Sequence, residues 1–377
     1  MRSRWRVPLA RGRVCVPTRR DENGKGADVT RMIENPWRGT GLDPDGVMPI
    51  ADASGVADLL ALCPMHAETP LCDAPELART AGVASVSIKD ERTRMGLGSF
   101  KALGAVHAIA RAAVARGGHD PEALFSALNG QTYVAASAGN HGLSVAAGAR
   151  IFGARAVIYL SATVPEPFAQ RLAGYGAEVV RAGADYEASM DAAMQAATDN
   201  GWTLLSDSSW PGYTELPLRV MEGYTQMAAE AVAQMEMPTH ILLQAGVGGL
   251  AAAVAAHARL AWGDAPEIIV VEPEAAPALI DSIEAGTLVT SEGPVSCMGR
   301  LDCKTPSMIA LAGLSRDADR FVTISEDDVR AGVDTLTRHG FDTTPSGGAG
   351  LAALLTGLNL HADARVLAFL SEGPEDG

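Results

Sequence analysis

Between residues 83 and 370 the chain alternates short apolar runs with stretches of helical spacing, and that alternation confines it to an α/β fold. The runs fall at 83–89, 132–137, 156–161, 178–182, 203–206, 240–244, 267–271, 320–324 and 364–370. Nearly all are apolar on both faces, as strands buried inside a parallel sheet must be. Helical spacing marks 102–116, 142–152, 166–174, 186–200, 221–234, 250–261, 326–338 and 349–358, with one earlier helix near 52–63. This alternation implies a doubly wound arrangement, whose ligands sit beyond the carboxyl ends of the strands.

Charge narrows the function. The formal net charge is −15, which argues against a nucleic-acid partner, because polyphosphate binding needs a basic surface. Residues 1–26 are the exception, with seven Arg and Lys25 against Asp21 and Glu22. They net +6, so the remainder carries −21. Residues 1–31 read as a disordered or cloning-related basic leader, without the apolar stretch of a signal peptide, and Met32 is an alternative start. No run approaches the ~18 apolar residues of a membrane span. The five cysteines form no CxxC and no zinc-spaced cluster, which suggests a reducing, cytoplasmic setting and no catalytic metal.

Three glycine-rich strand-end loops open helices, and helix N-termini suit anions. Gly246, Val247, Gly248, Gly249 and Leu250 follow the run ending at Gln244 and would cradle a phosphate. Alone they also fit a dinucleotide fingerprint, Gly246-x-Gly248-x-x-Ala251, with Glu272 where a ribose-binding acid would sit. In Ser137-Ala138-Gly139-Asn140-His141-Gly142, Ser137 and the amides suit a carboxylate and Asn140 a phenolic oxygen. His141 by itself reads as structural. Ser99-Phe100-Lys101 places a lysine near a helix start. There burial and the dipole are both expected to lower its pKa and keep it a neutral nucleophile.

A phosphate cradle, a carboxylate loop with an Asn and a nucleophilic Lys are what pyridoxal phosphate and an amino acid need. The chain resembles the fold-type II pyridoxal-phosphate enzymes, and within them the diaminopropionate ammonia-lyase group. The matching segments run in the family's order over residues 65–377. They include Lys89-Asp90-Glu91, Gly98-Ser99-Phe100-Lys101-Ala102-Leu103-Gly104, Gly139-Asn140-His141-Gly142, Met221-Glu222-Gly223-Tyr224, Leu243-Gln244-Ala245-Gly246-Val247-Gly248 and Val271-Glu272-Pro273. Ser346-Gly347-Gly348-Ala349-Gly350-Leu351 and Ser371-Glu372-Gly373 complete them. Asp207-Ser208-Ser209-Trp210-Pro211-Gly212-Tyr213 favours the ammonia-lyase branch over serine and threonine dehydratases.

The resemblance implies two doubly wound α/β domains, a large one from 32–117 and 212–377 and a small one from 118–211, in a homodimer. It implies that Lys101 carries the cofactor, Asn140 bonds its ring oxygen, residues 246–250 hold its phosphate and Ser371 faces its pyridine nitrogen. Substrate contacts are expected from Ser137, Ala138, Gly139 and His141, and Asp207 is a candidate to hold a substrate ammonium. Two departures stand out. Where the family has an aspartate proposed as the base for D-substrates, this chain has Ala138, so L-substrates are expected. Arg300 and Lys304 replace small residues, as part of a solvated loop or, for Arg300, to recognise an extra acidic group.

The expected activity is β-elimination from 2,3-diaminopropionate, giving a 2-oxo acid (pyruvate) and ammonia. A serine, threonine or 3-hydroxyaspartate dehydratase is the nearest rival. An NAD-dependent oxidoreductase or an inactive binding homologue is more remote.

Overall fold

The computed structural model describes residues 31–374 apart from Pro44 and His119. The basic leader thus lies outside the described residues except for Arg31, which opens the first strand rather than ending a tail.

Seven strands form the larger sheet: β1 (Arg31–Glu34), β2 (Leu71–Asp73), β3 (Ser85–Asp90), β8 (His240–Gln244), β9 (Glu267–Pro273), β10 (Arg320–Ile324) and β11 (Arg365–Leu370). Four more form a smaller sheet: β4 (Thr132–Ala135), β5 (Arg155–Leu160), β6 (Glu178–Arg181) and β7 (Thr203–Leu204). The helices are α1 (Val56–Leu60), α2 (Pro75–Ala81), α3 (Lys101–Gly117), α4 (Pro121–Leu124), α5 (Asn140–Ile151), α6 (Glu166–Gly174) and α7 (Tyr186–Asn200). They continue with α8 (Glu215–Gln234), α9 (Gly249–Trp262), α10 (Ala278–Ala285), α11 (Met308–Asp317), α12 (Glu326–Arg338) and α13 (Pro345–Thr356).

The larger sheet runs β1-β10-β9-β8-β11-β3-β2 and the smaller β6-β5-β4-β7. The smaller sheet and the interior of the larger are parallel, as apolar runs without alternation require. The two edges of the larger sheet differ from the sequence-based expectation. Both β1 and β2 are short antiparallel strands, and neither stood out among the Pro- and Gly-rich segments around it.

Burial on both faces explains the apolar runs. In β8, Ile241 and Leu243 pack with α3, α8 and α9, while Leu242 faces α13 on the other side. Two glycines permit close approach of α3 and α8: a Cβ on Gly223 of α8 would stand 2.9 Å from His107 Cβ, and one on Gly104 of α3 would meet the Tyr224 ring. No helix among the described residues is long and apolar enough to cross a membrane.

Candidate active site

Lys101 is delivered by a loop under visible constraint. After β3 the chain makes one 3-10 turn, Arg94–Gly96, in which Met95 adopts φ 51°, a left-handed conformation that a side chain disfavours. The turn is pinned by Arg94. This residue is wholly buried, with its guanidinium 2.7 Å from both Glu91 and Glu230. Phe100 N then donates to Ser371 O at 3.0 Å and Gly373 N to Gly98 O at 3.0 Å. These bonds tie the Ser99-Phe100-Lys101 turn to the end of β11 and bring Ser371 beside Lys101 in sequence space collapsed by the fold.

The Lys101 ammonium touches the Asp207 carboxylate and lies 5.3 Å and 5.9 Å from the ring centroids of Phe100 and Tyr224. This corrects the expectation of a lowered lysine pKa. Burial is the largest single influence and works in that direction, but the Asp207 charge and hydrogen bond, together with the smaller contributions around them, outweigh it and hold the amine well above its ordinary value. The partner responds in kind. Burial favours protonated Asp207, yet the Lys101 charge keeps its carboxyl well below the usual carboxylate range. The helix dipole, worth a fraction of a charge at a distance, cannot compete with a full charge in contact.

Asp207 is itself fixed from both sides. Tyr213 donates its hydroxyl to Leu204 O at 2.8 Å, accepts from Ser206 N at 3.1 Å and stacks on Trp210. Ser209 accepts from Ile309 N at 2.9 Å through its Oγ, at the start of α11. The Asp207 main-chain oxygen lies 4.0 Å from where a Cβ on Gly249 would stand. One residue therefore spans the lysine and the glycine loop.

That loop joins β8 to α9 and has no room for a side chain at Gly246 or Gly248. A Cβ on Gly246 would stand 2.9 Å from Leu301 Cα and 3.1 Å from Cys303 Sγ, and Gly248 has φ 95°. The first turn of α9 presents amides that have no intrahelical acceptor. Cys303 went unremarked in the sequence beyond its family loop. Burial and the nearby Asp207 push its thiol up to about 11, so it stays protonated beside the lysine.

The Ser137–Gly142 segment forms the facing wall. A Cβ on Gly142 would run into Ser137 O, which explains that glycine. His141 is buried. Its Nε2 donates to Leu205 O at 2.8 Å, and burial lowers its pKa, so it is neutral with a bare, unpartnered Nδ1 among the described residues. Asn140, the first residue of α5, donates Nδ2 to Glu372 Oε2 at 2.6 Å. Arg300 Nε stands 3.0 Å from that same oxygen and 3.9 Å from a Cβ position on Gly139. Lys304 points elsewhere, bonded to Ala275 O at 2.7 Å, Pro294 O at 2.9 Å and Asp302 at 2.6 Å. Its side chain stays partly exposed and its ammonium is not part of this wall.

Tyr224 and Glu372 also belong to this constellation. Both lie in segments legible in the sequence, but with no role assigned there. Their signal was a glycine across the contact: a Cβ on Gly104 would run into the Tyr224 ring, and one on Gly347 would stand 2.8 Å from Glu372 Cγ.

Glu272 removes the dinucleotide alternative for the glycine loop. Its carboxylate is fully buried and accepts from Leu279 N at 2.7 Å and Ile280 N at 2.8 Å, capping α10 instead of facing a ribose. Burial, opposed by those two amides, pushes it up to about 8. Glu272→Gln should cost about 1–3 kcal/mol at pH 5, because one amide loses its acceptor. The unfolded chain ionises this group near the ordinary carboxyl range and the folded chain only near 8, so wild-type stability falls as pH rises between those values. The gap between the proteins should therefore narrow by pH 9 in urea denaturation. A gap that widens with pH would show that the folded carboxyl is ionised throughout.

Comparison with known proteins bears on this arrangement. A family model described as pyridoxal-phosphate dependent enzyme matches residues 62–372. The chain is 33% identical over 339 residues to diaminopropionate ammonia-lyase of Escherichia coli K12, covering 82% of this chain and 85% of that protein. A crystal structure of the Escherichia coli diaminopropionate ammonia lyase in complex with D-serine superposes with TM-score 0.82 at 28% identity, covering 92% of this chain and 95% of that one. A serine dehydratase-like protein of Mus musculus is 28% identical over 316 residues, covering 82% and 88%.

Proposed function

The chain belongs to the pyridoxal-phosphate-dependent enzymes, and from that premise we propose that it is a lyase eliminating the β-amino group of 2,3-diaminopropionate to give pyruvate and ammonia. The observation that carries this reading is Asp207, whose carboxylate meets the lysine while its main-chain oxygen lies against the glycine loop at Gly249. The residues fit the cofactor. The glycine loop is packed so closely that a Cβ at Gly246 would run into Leu301 and Cys303, which leaves its amides bare, and the buried Tyr224 hydroxyl beside Lys101 has no hydrogen-bond partner among the described residues. When bound, the cofactor supplies an electron sink that acidifies the substrate's Cα hydrogen and drives out the β-substituent.

In this reading Lys101 Nζ holds the cofactor covalently and afterwards takes the Cα proton. The amides of residues 246–250 hold the phosphate, Asn140 Nδ2 the ring oxygen and Ser371 Oγ the pyridine nitrogen. A hydroxyl there, unlike a carboxylate, does not force that nitrogen to protonate, which favours prompt loss of a leaving group. Ser137, Ala138, Gly139 and His141 present the wall for the substrate's carboxylate, and Arg300 Nε lies 3.9 Å from a Cβ position on Gly139. Residues 118–211 form the small domain, and we carry a cytoplasmic homodimer with this reading.

Asp207 distinguishes diaminopropionate from serine, because only the former offers a β-ammonium to a carboxylate. Asp207→Asn should reduce kcat/KM on both through Lys101, and on diaminopropionate by a further tenfold or so, the worth of one charge-assisted bond. Equal losses would indicate a structural role for Asp207. The reading as a whole is tested by an absorbance band near ~410–430 nm that borohydride bleaches, together with 2-oxo-acid release from a panel of β-substituted amino acids. Absence of both would leave a binding homologue.

A further inference from the structure

We infer that Arg300 is a positioning residue for the cofactor: through the Glu372 carboxylate that it shares with Asn140, it fixes which way the Asn140 amide faces. The inference rests on the proposed reading that Asn140 holds the cofactor's ring oxygen.

A single oxygen, Glu372 Oε2, accepts from Asn140 Nδ2 at 2.6 Å and lies 3.0 Å from Arg300 Nε. The other, Oε1, accepts from Thr344 Oγ1, and the Glu372 main-chain oxygen accepts from Thr343 Oγ1 at 2.6 Å. The side chain of Glu372 is only 5% exposed. An ionised carboxylate can only accept, so it dictates that the NH2 end of Asn140 faces it. One N–H is then used on Glu372 and the second remains to donate to a ring oxygen. If the amide turned over, its carbonyl oxygen would occupy the donor's place and repel that oxygen.

The arrangement holds only while Glu372 is ionised, and burial opposes ionisation. Arg300 supplies a permanent positive charge in contact with it. Loss of that guanidinium would favour a protonated Glu372, which can donate as well as accept. The amide would then lose the constraint on its orientation. Arg300 acts here through two intermediaries, so its effect belongs to cofactor affinity and to the spectrum of the bound cofactor.

The test uses the full-length protein. The dissociation constant for pyridoxal phosphate is measured by equilibrium titration, and the visible spectrum of the holoenzyme is recorded, for wild type, Arg300→Ala, Arg300→Lys and Glu372→Gln. Thermal unfolding of each apo protein is followed alongside. The expected result is an affinity weakened about tenfold in Arg300→Ala, with a displaced visible band. Arg300→Lys should recover part of both, and Glu372→Gln should move them in the same direction as Arg300→Ala. Wild-type affinity and an unchanged band in a folded Arg300→Ala protein would overturn the inference. So would a fall in thermal stability alone, or a raised KM for acidic substrates alone, which would make Arg300 a substrate contact. If the wild-type protein itself gives no band, the proposed function fails, and that outcome is distinct from either.

Discussion

Lys101→Ala is expected to lower turnover by at least ~10³-fold, within the range that a positioned general base contributes, while some phosphate-anchored cofactor is retained. Two roles of one amine disappear together: the covalent hold on the cofactor and the group that takes the Cα proton. The cradle at residues 246–250 is built from backbone amides and does not depend on that side chain. Substitution also leaves the Asp207 carboxylate without the ammonium that offsets its burial. The Asp207 side chain is 21% exposed, so the cost falls short of the ~3–5 kcal/mol of a fully buried charge stripped of its partner. The double variant Lys101→Ala with Asp207→Asn relieves that cost and separates lost chemistry from lost folding. The measurements are 2-oxo-acid release and cofactor content after gel filtration. Near-normal rates in either protein would end the mechanism proposed here.

The enzyme is expected to use L-diaminopropionate at least ~100-fold faster than the D-isomer, the low end of what a general base supplies. Lys101 and Asp207 form one charged pair on one side of the site, and the facing loop offers no acid at Ala138. Abstraction from the opposite face needs a second positioned group within about 3 Å of the hydrogen. Ser137 is too weak a base without a partner. His141 is neutral and tied through Nε2 to Leu205 O, which leaves only its bare Nδ1. Ala138→Asp should raise the D-rate, because Ala138 stands in the loop that faces Lys101. Rates on both enantiomers, for the natural and substituted proteins, decide the matter. Comparable D and L rates in the natural enzyme would show that another group serves, with His141 Nδ1 the first to replace.

Much of the framework is written locally. The strands at His240–Gln244 and Arg320–Ile324 and the helices at Glu166–Gly174, Tyr186–Asn200 and Glu326–Arg338 match the sequence pattern residue for residue. Their periodicity and caps, such as Asp185 and Ser325, act over a few residues. The glycines of the 246–250 loop are legible for the same reason: backbone that must turn left-handed or approach a neighbour closely excludes a Cβ whatever surrounds it. The edge strands β1 and β2 escaped notice because the partner of β1 lies far along the chain and that of β2 lies beyond α2, and three or four residues carry little pattern.

Ionisation is where local reading failed. The sequence placed Lys101 at a helix start and so predicted a lowered pKa, whereas Asp207, 106 residues away, raises it. Glu272 read as a possible ribose ligand, and only the position of α10 turns it into a buried cap. Arg300 was recognisable as a departure from family pattern, but its connection to Asn140 runs through Glu372 at the opposite end of the chain. Strands, helices and the positions of bare backbone follow from residues only a few places apart. The protonation and orientation of the groups beside those bare segments were decided only by the tertiary structure, because a full charge in contact outweighs anything a residue's own helix can supply, and contact between such distant residues exists only once the crossovers have folded.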